Sequence, residues 1–166
     1  MDLFGIQFIM LYQKNLFYLY YKNNIVKLRE LYAEYRKVLL KIYINNKNRI
    51  DTKFQYKHIF KQLALDFEDF IVRSDVICTY LYNYKWKIQK IIDDGKLIDF
   101  TSFINVYCRG DINILNYHLE KINKIKDIDM SEITKITLNT IKEFKKLQNK
   151  SEKLFENNIS SVHKKS

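Results

Sequence analysis

The sequence predicts an all-α fold, a helical bundle of five to seven helices, on three observations. There is no proline and there are only three glycines in 166 residues; 47% of the residues are hydrophobic; and apolar positions recur at steps of three and four along most of the chain. Proline and glycine interrupt helices and supply tight turns, so their scarcity favours long helices over a many-stranded protein. The apolar fraction is too high for intrinsic disorder, and the length suits one domain around one core. No linker-like stretch or internal repeat divides the chain. Residues 1–157 therefore read as a single helical domain, and residues 158–166, NISSVHKKS, as a mobile tail with little to bury.

Residues 1–24 form an aromatic N-terminal helix. Gln7, Gln13, Lys14 and Asn15 interrupt its apolar character and the longest clean run is Phe8 to Tyr12. A membrane span needs about 20 predominantly apolar residues, and Asp2 with no basic start argues against a secretory signal. The segment therefore reads as an amphipathic helix that docks on the core or on a partner. From Ile25 to Tyr43 the positions Leu28, Leu31, Tyr32, Tyr35, Val38, Leu39 and Ile42 define one buried stripe. Asn45 to Asn48 end that helix, because asparagine competes for backbone hydrogen bonds.

Asp51 or Thr52 is placed to cap a second helix carrying Tyr56, Ile59, Phe60 and Leu63. A third stretch over 66–92 carries Phe67, Phe70, Ile71, Ile77 and Leu81, either continuous with the second or broken near Ser74. Asp93, Asp94 and Gly95 read as its stop. C-terminal helices follow over 96–157: a short apolar segment at 97–107, a turn at Arg109, Gly110 and Asp111, and a helix from Ile112 to Ile125. Ser131 caps a last helix in which Ile133, Ile136, Thr140, Phe144, Leu147, Ser151 and Leu154 approximate a 3.5-residue period. Such a stripe pairs with another helix, of this chain or of a partner.

The residues do not point to an enzyme. Gly5, Gly95 and Gly110 are too dispersed for a phosphate loop. His58, His118 and His163 lack metal-ligand spacing, so no metal is expected. Asp93 with Asp94, and Asp127 with Asp129, sit at helix ends and read as caps. Cys78 and Cys108 form no C-x-x-C unit and read as reduced core thiols of a reducing compartment; only the neighbouring Arg109 offers Cys108 any activation.

The informative feature is charge. The chain carries a formal +10, and most of the excess lies between Tyr35 and Lys61. There Arg36, Lys37, Lys41, Lys47, Arg49, Lys53, Lys57 and Lys61 face a single acid, Asp51, for a segment net of +7. Read from the residues alone, this is a solvated basic face backed by a core stripe, suited to an acidic partner.

The run Tyr35-Arg36-Lys37-Val38-Leu39-Leu40-Lys41, followed by Gln55-Tyr56-Lys57-His58-Ile59-Phe60, resembles the LYR-motif family of small mitochondrial helical proteins over about residues 28–92. The leucine before the tyrosine is replaced by Glu34, and Leu31-Tyr32 is followed by Ala33. The resemblance implies a mitochondrial accessory subunit or assembly factor that binds acyl carrier protein. Tyr35, Arg36, Lys37, Lys41, Arg49, Lys53, Lys57, Phe60 and Lys61 would form the partner-binding surface. Tyr35, Leu39 and Phe60 would receive the acyl chain linked to 4'-phosphopantetheine. The same charge also suits RNA in a ribosomal or other ribonucleoprotein assembly, with phosphates neutralised by Lys and Arg. A helical protein–protein interaction module using the last helix is the third reading.

Overall fold

The structure, a computed structural model, describes the backbone of residues 3–84 and 97–165 and the side chains of residues 21–81 and 101–153. The described residues form five helices and no strand: α1 (Leu3–Asn45), α2 (Lys47–Thr52), α3 (Phe54–Tyr84), α4 (Leu97–Asn123) and α5 (Ser131–Lys165). The all-α bundle is as predicted. Its division is coarser, because the aromatic N-terminal helix and the Ile25–Tyr43 helix are one element. At 1.5 Å per residue, 43 residues make α1 roughly 65 Å long.

The four long helices run up-down-up-down, and cross-helix pairs fix the registers. Tyr32 stacks on Phe70 with ring centroids 5.6 Å apart and Tyr43 meets Phe60 lower down, so α1 and α3 are antiparallel. Arg73 with Asp111 and Tyr80 with Phe103 set α4 antiparallel to α3. Tyr107 meets Phe144 edge-on at 5.5 Å, and Gln148 donates to Asn105 at 2.5 Å, which sets α5 antiparallel to α4. Asn24 donates to Glu143 at 2.9 Å, which closes α5 back onto α1. Each helix thus buries its stripe against two neighbours, the arrangement that removes most apolar surface from four amphipathic rods.

The expected core residues of α1 are all buried, as are Ile59, Phe60, Leu63, Phe67, Phe70, Ile77 and Leu81 of α3. The stripe of α5 is buried from Ile133 to Ser151, within its own chain. The two buried threonines of α5 cost little there, since the hydroxyls of Thr137 and Thr140 each donate to the carbonyl four residues back at 2.7 Å. The side chain of Leu154 lies outside the described residues, as do the expected stop at Asp93, Asp94 and Gly95, the end of the third stretch as far as residue 92, and the side chains of Ile98 and Phe100.

Several local expectations are corrected. Neither Asp51 nor Thr52 caps α3: both lie in α2, where Thr52 donates back to the Asn48 carbonyl at 2.6 Å and Asp51 accepts from Tyr43 at 3.0 Å. The second and third stretches are one helix without a break at Ser74, whose hydroxyl bonds the Ile71 carbonyl. Arg109, Gly110 and Asp111 are not a turn but the middle of α4. A helical glycine costs about 1 kcal/mol against alanine. The burial of Ile104, Tyr107, Cys108 and Leu115 outweighs that, and Arg73 holds Asp111 against the bundle. Phe103 and Val106, two apolar residues of the 97–107 segment, are exposed. The Asp129 carboxylate, not Ser131, meets the start of α5, accepting from the Ser131 N–H at 3.0 Å. The backbone of 158–165, expected as tail, continues α5.

Candidate functional site

The +7 segment is divided by the bundle into two groups with different work. On α1, Arg36, Leu39, Leu40 and Tyr43 stand at i, i+3, i+4 and i+7, the spacing of one helical face. On α3, Lys57, Phe60, Lys61 and Ala64 repeat the same spacing. Because α1 and α3 are antiparallel and α2 bridges their ends, the two faces oppose each other across a groove of about 520 Å³. Leu39, Phe60 and Phe67 with Ile50 of α2 make its floor; Leu40, 57% exposed, adds an apolar edge. Arg36, Lys57 and Lys61 stand on the rim with Glu68 and Asp51, and none of these three bases has an ion-pair partner among the described residues.

The second group closes the fold. Arg49 donates to the Asp127 carbonyl oxygen at 2.7 Å, Lys53 donates to the Asp127 carboxylate at 2.7 Å, and Tyr56 donates to its other oxygen at 2.5 Å. The Lys53 and Tyr56 hydrogen bonds hold the Asp127 carboxyl at about 2, and the same pair raises the Lys53 ammonium. Asp127 is therefore not a helix cap. It ties the α2–α3 junction to the loop before α5. Lys41 reaches Glu132 at the start of α5 at 3.4 Å. Lys37 is exposed and has no ion-pair partner among the described residues.

Of the predicted partner-binding residues, the groove brings together Arg36, Lys57, Phe60 and Lys61. Tyr35, only 3% exposed, stands behind it with its ring stacked on Phe67 at 5.1 Å. Burial pushes the Tyr35 phenol well above its ordinary value. Arg49, Lys53 and Lys41 face the α5 side instead. Sequence reasoning missed Leu40, Ile50 and Glu68, although Leu40 and Glu68 fall on the same helical faces as the bases it selected. It also missed two polar pairs between α3 and α4. Asp66 accepts from Gln62 at 2.9 Å and pairs with His118 at 2.7 Å. Asp111 accepts from Arg73 at 2.8 Å.

Cys108 is fully buried, as expected of a core thiol, and burial pushes it up to about 12, so the neighbouring Arg109 does not activate it. Burial likewise lowers the His118 imidazole, against the raising effect of Asp66. No cluster of three metal-ligating side chains occurs among the described residues, and no helix among them is long and apolar enough to cross a membrane.

Compared with family models, curated proteins and solved structures, the chain matches none closely enough to assign a family. The reading of function therefore rests on the groove.

Proposed function

We propose that the chain is a non-catalytic adaptor subunit of a larger assembly that grips an acidic partner in the groove between α1 and α3. The observation behind this reading is that three bases without ion-pair partners and an apolar floor meet in one concavity. A purely hydrophilic anion would leave that floor wet, and a purely apolar ligand would leave the cations unanswered. The complement is a partner that presents carboxylates or phosphate beside an apolar group. Its acidic surface would be steered by the rim, and its apolar group would displace water from Leu40 and from the exposed edges of Leu39 and Phe60. The volume lies in the range of small-ligand pockets, roughly 300 to 1,000 Å³.

Acyl carrier protein, the partner that the LYR resemblance implies, has this chemistry. Its acidic surface would meet Arg36, Lys57 and Lys61, and its phosphopantetheine-linked acyl chain would enter over Leu39 and Phe60. The mitochondrial location belongs to the same proposal.

The test is calorimetric titration with acylated acyl carrier protein. The triple variant Arg36→Glu, Lys57→Glu, Lys61→Glu is expected to lose at least tenfold in affinity while keeping its helical circular dichroism. Lys41→Glu, on the α5 side, is expected to change it by less than threefold. Unchanged binding by the folded triple variant would reject the groove as the site, and no binding by the native chain would reject the partner.

A further inference from the structure

A second positively charged concavity lies on a different face, between α1 and α5, with a volume of about 680 Å³. Lys146, Lys150 and Lys153 of α5 stand at i, i+4 and i+7, so they share one face, and Lys27 of α1 faces them. Among the described lining residues these four ammonium groups stand with one acid, Glu143, which is itself 8% exposed and accepts from Asn24 at 2.9 Å. Lys150 donates to the other end of the same Asn24 amide at 2.8 Å, so the cleft is built on a tie between the two helices. Lys146 lies 3.8 Å from Glu143, and Lys27 lies 4.0 Å from Glu30 on the solvent side. Like charges at i, i+4 on a helix repel, and this concentration is relieved when an anion enters the cleft.

We infer that this cleft binds the phosphodiester backbone of RNA. Among the described residues its lining carries only polar side chains, the rest being Asn23, Asn24 and Asn149. No aromatic side chain lines it among the described residues, so the contacts they offer are to phosphate and ribose and are independent of sequence. Lysine is a point charge that suits phosphate, whereas planar carboxylate is better matched by the arginine fork, which the cleft lacks. A lipid surface is less well suited to this lining, since interfacial binding needs apolar side chains beside the bases and none lines the cleft among the described residues. The site is independent of the α1–α3 groove, which has an apolar floor and Arg36.

The experiment is fluorescence anisotropy of the full chain with a labelled 20-nucleotide uridine RNA, titrated between 50 and 200 mM KCl. Each lysine that neutralises a phosphate of a single strand adds about 0.7 to the slope of log affinity against log salt. Lys146→Gln, Lys150→Gln, Lys153→Gln together should lower that slope by about 2 and weaken binding at least tenfold at 100 mM. Lys27→Gln with Lys153→Gln, two side chains that tie no helices together, should lower it by about 1.4 and serves if the triple variant unfolds. The groove variant Arg36→Gln, Lys57→Gln, Lys61→Gln should leave the slope unchanged. The inference is overturned if the native chain does not bind the RNA or if the cleft variants keep the native slope. It also fails if the groove variant shows the larger loss, or if phosphatidylglycerol vesicles bind more tightly than the RNA.

Discussion

Neutralising Asp111 alters the pH dependence of stability in a direction and by an amount that the structure specifies. Asp111 is 2% exposed on α4. One carboxylate oxygen accepts from the Arg73 Nε at 2.8 Å, but the other, like the Arg73 Nη2, has no partner among the described residues. Burial therefore outweighs the guanidinium and pushes the carboxyl from 3.8 to about 6. A group whose folded value is raised holds its proton in the folded state after the unfolded chain has lost it. Its contribution to stability is complete below 3.8 and declines as pH rises through 6. A shift of about two units at 1.36 kcal/mol per unit corresponds to about 3 kcal/mol, of which about 2 kcal/mol is developed at pH 4.5. The assay is urea denaturation of the native chain and of Asp111→Asn at pH 7.5 and pH 4.5. On acidification the native chain should gain about 2 kcal/mol relative to the variant. The comparison is a difference because other groups act in the opposite sense. His118, lowered by burial, loses stability as pH falls below its ordinary 6.5, and Asp127, held at about 2, loses it as pH falls below 3.8. Both effects are common to the two proteins and cancel. A stability gap that stays flat with pH, or that moves the other way, refutes the reasoning.

Two further predictions test local claims. A Cβ at Gly110 would meet nothing within 4 Å, so Gly110→Ala should raise stability by about 1 kcal/mol in denaturant melts; a loss of stability would show that α4 is interrupted there. The Tyr35 hydroxyl is buried without a hydrogen-bond partner among the described residues, so Tyr35→Phe should be neutral or stabilising by up to about 1 kcal/mol and should leave partner affinity unchanged. Destabilisation by more than that would mean the hydroxyl is satisfied by an internal water or by Thr137.

Local pattern determined the helical class, the buried stripes of α1, α3 and α5, and the concentration of charge between Tyr35 and Lys61. Each depends only on which residues recur every three or four positions and on the sign of their charges, and a chain with no proline has few other ways to bury such stripes. Where local signals were weak or ambiguous, distant partners decided. Gly110 reads as a turn until Tyr107, Cys108 and Asp111 are seen packed against α3 and α5. Asp127 reads as a cap until Lys53 and Tyr56, more than seventy residues earlier, are seen to converge on it. The same is true of the candidate site. The sequence supplied all the bases, but only the antiparallel pairing of α1 with α3 and of α1 with α5 sorted them. Arg36, Lys57 and Lys61 came to line a groove, Lys41, Arg49 and Lys53 to fasten the fold, and Lys27 and the lysines of α5 to share a second cleft. Side-chain type and spacing are written in the chain, whereas the distance between charges on different helices depends on how the rods pack.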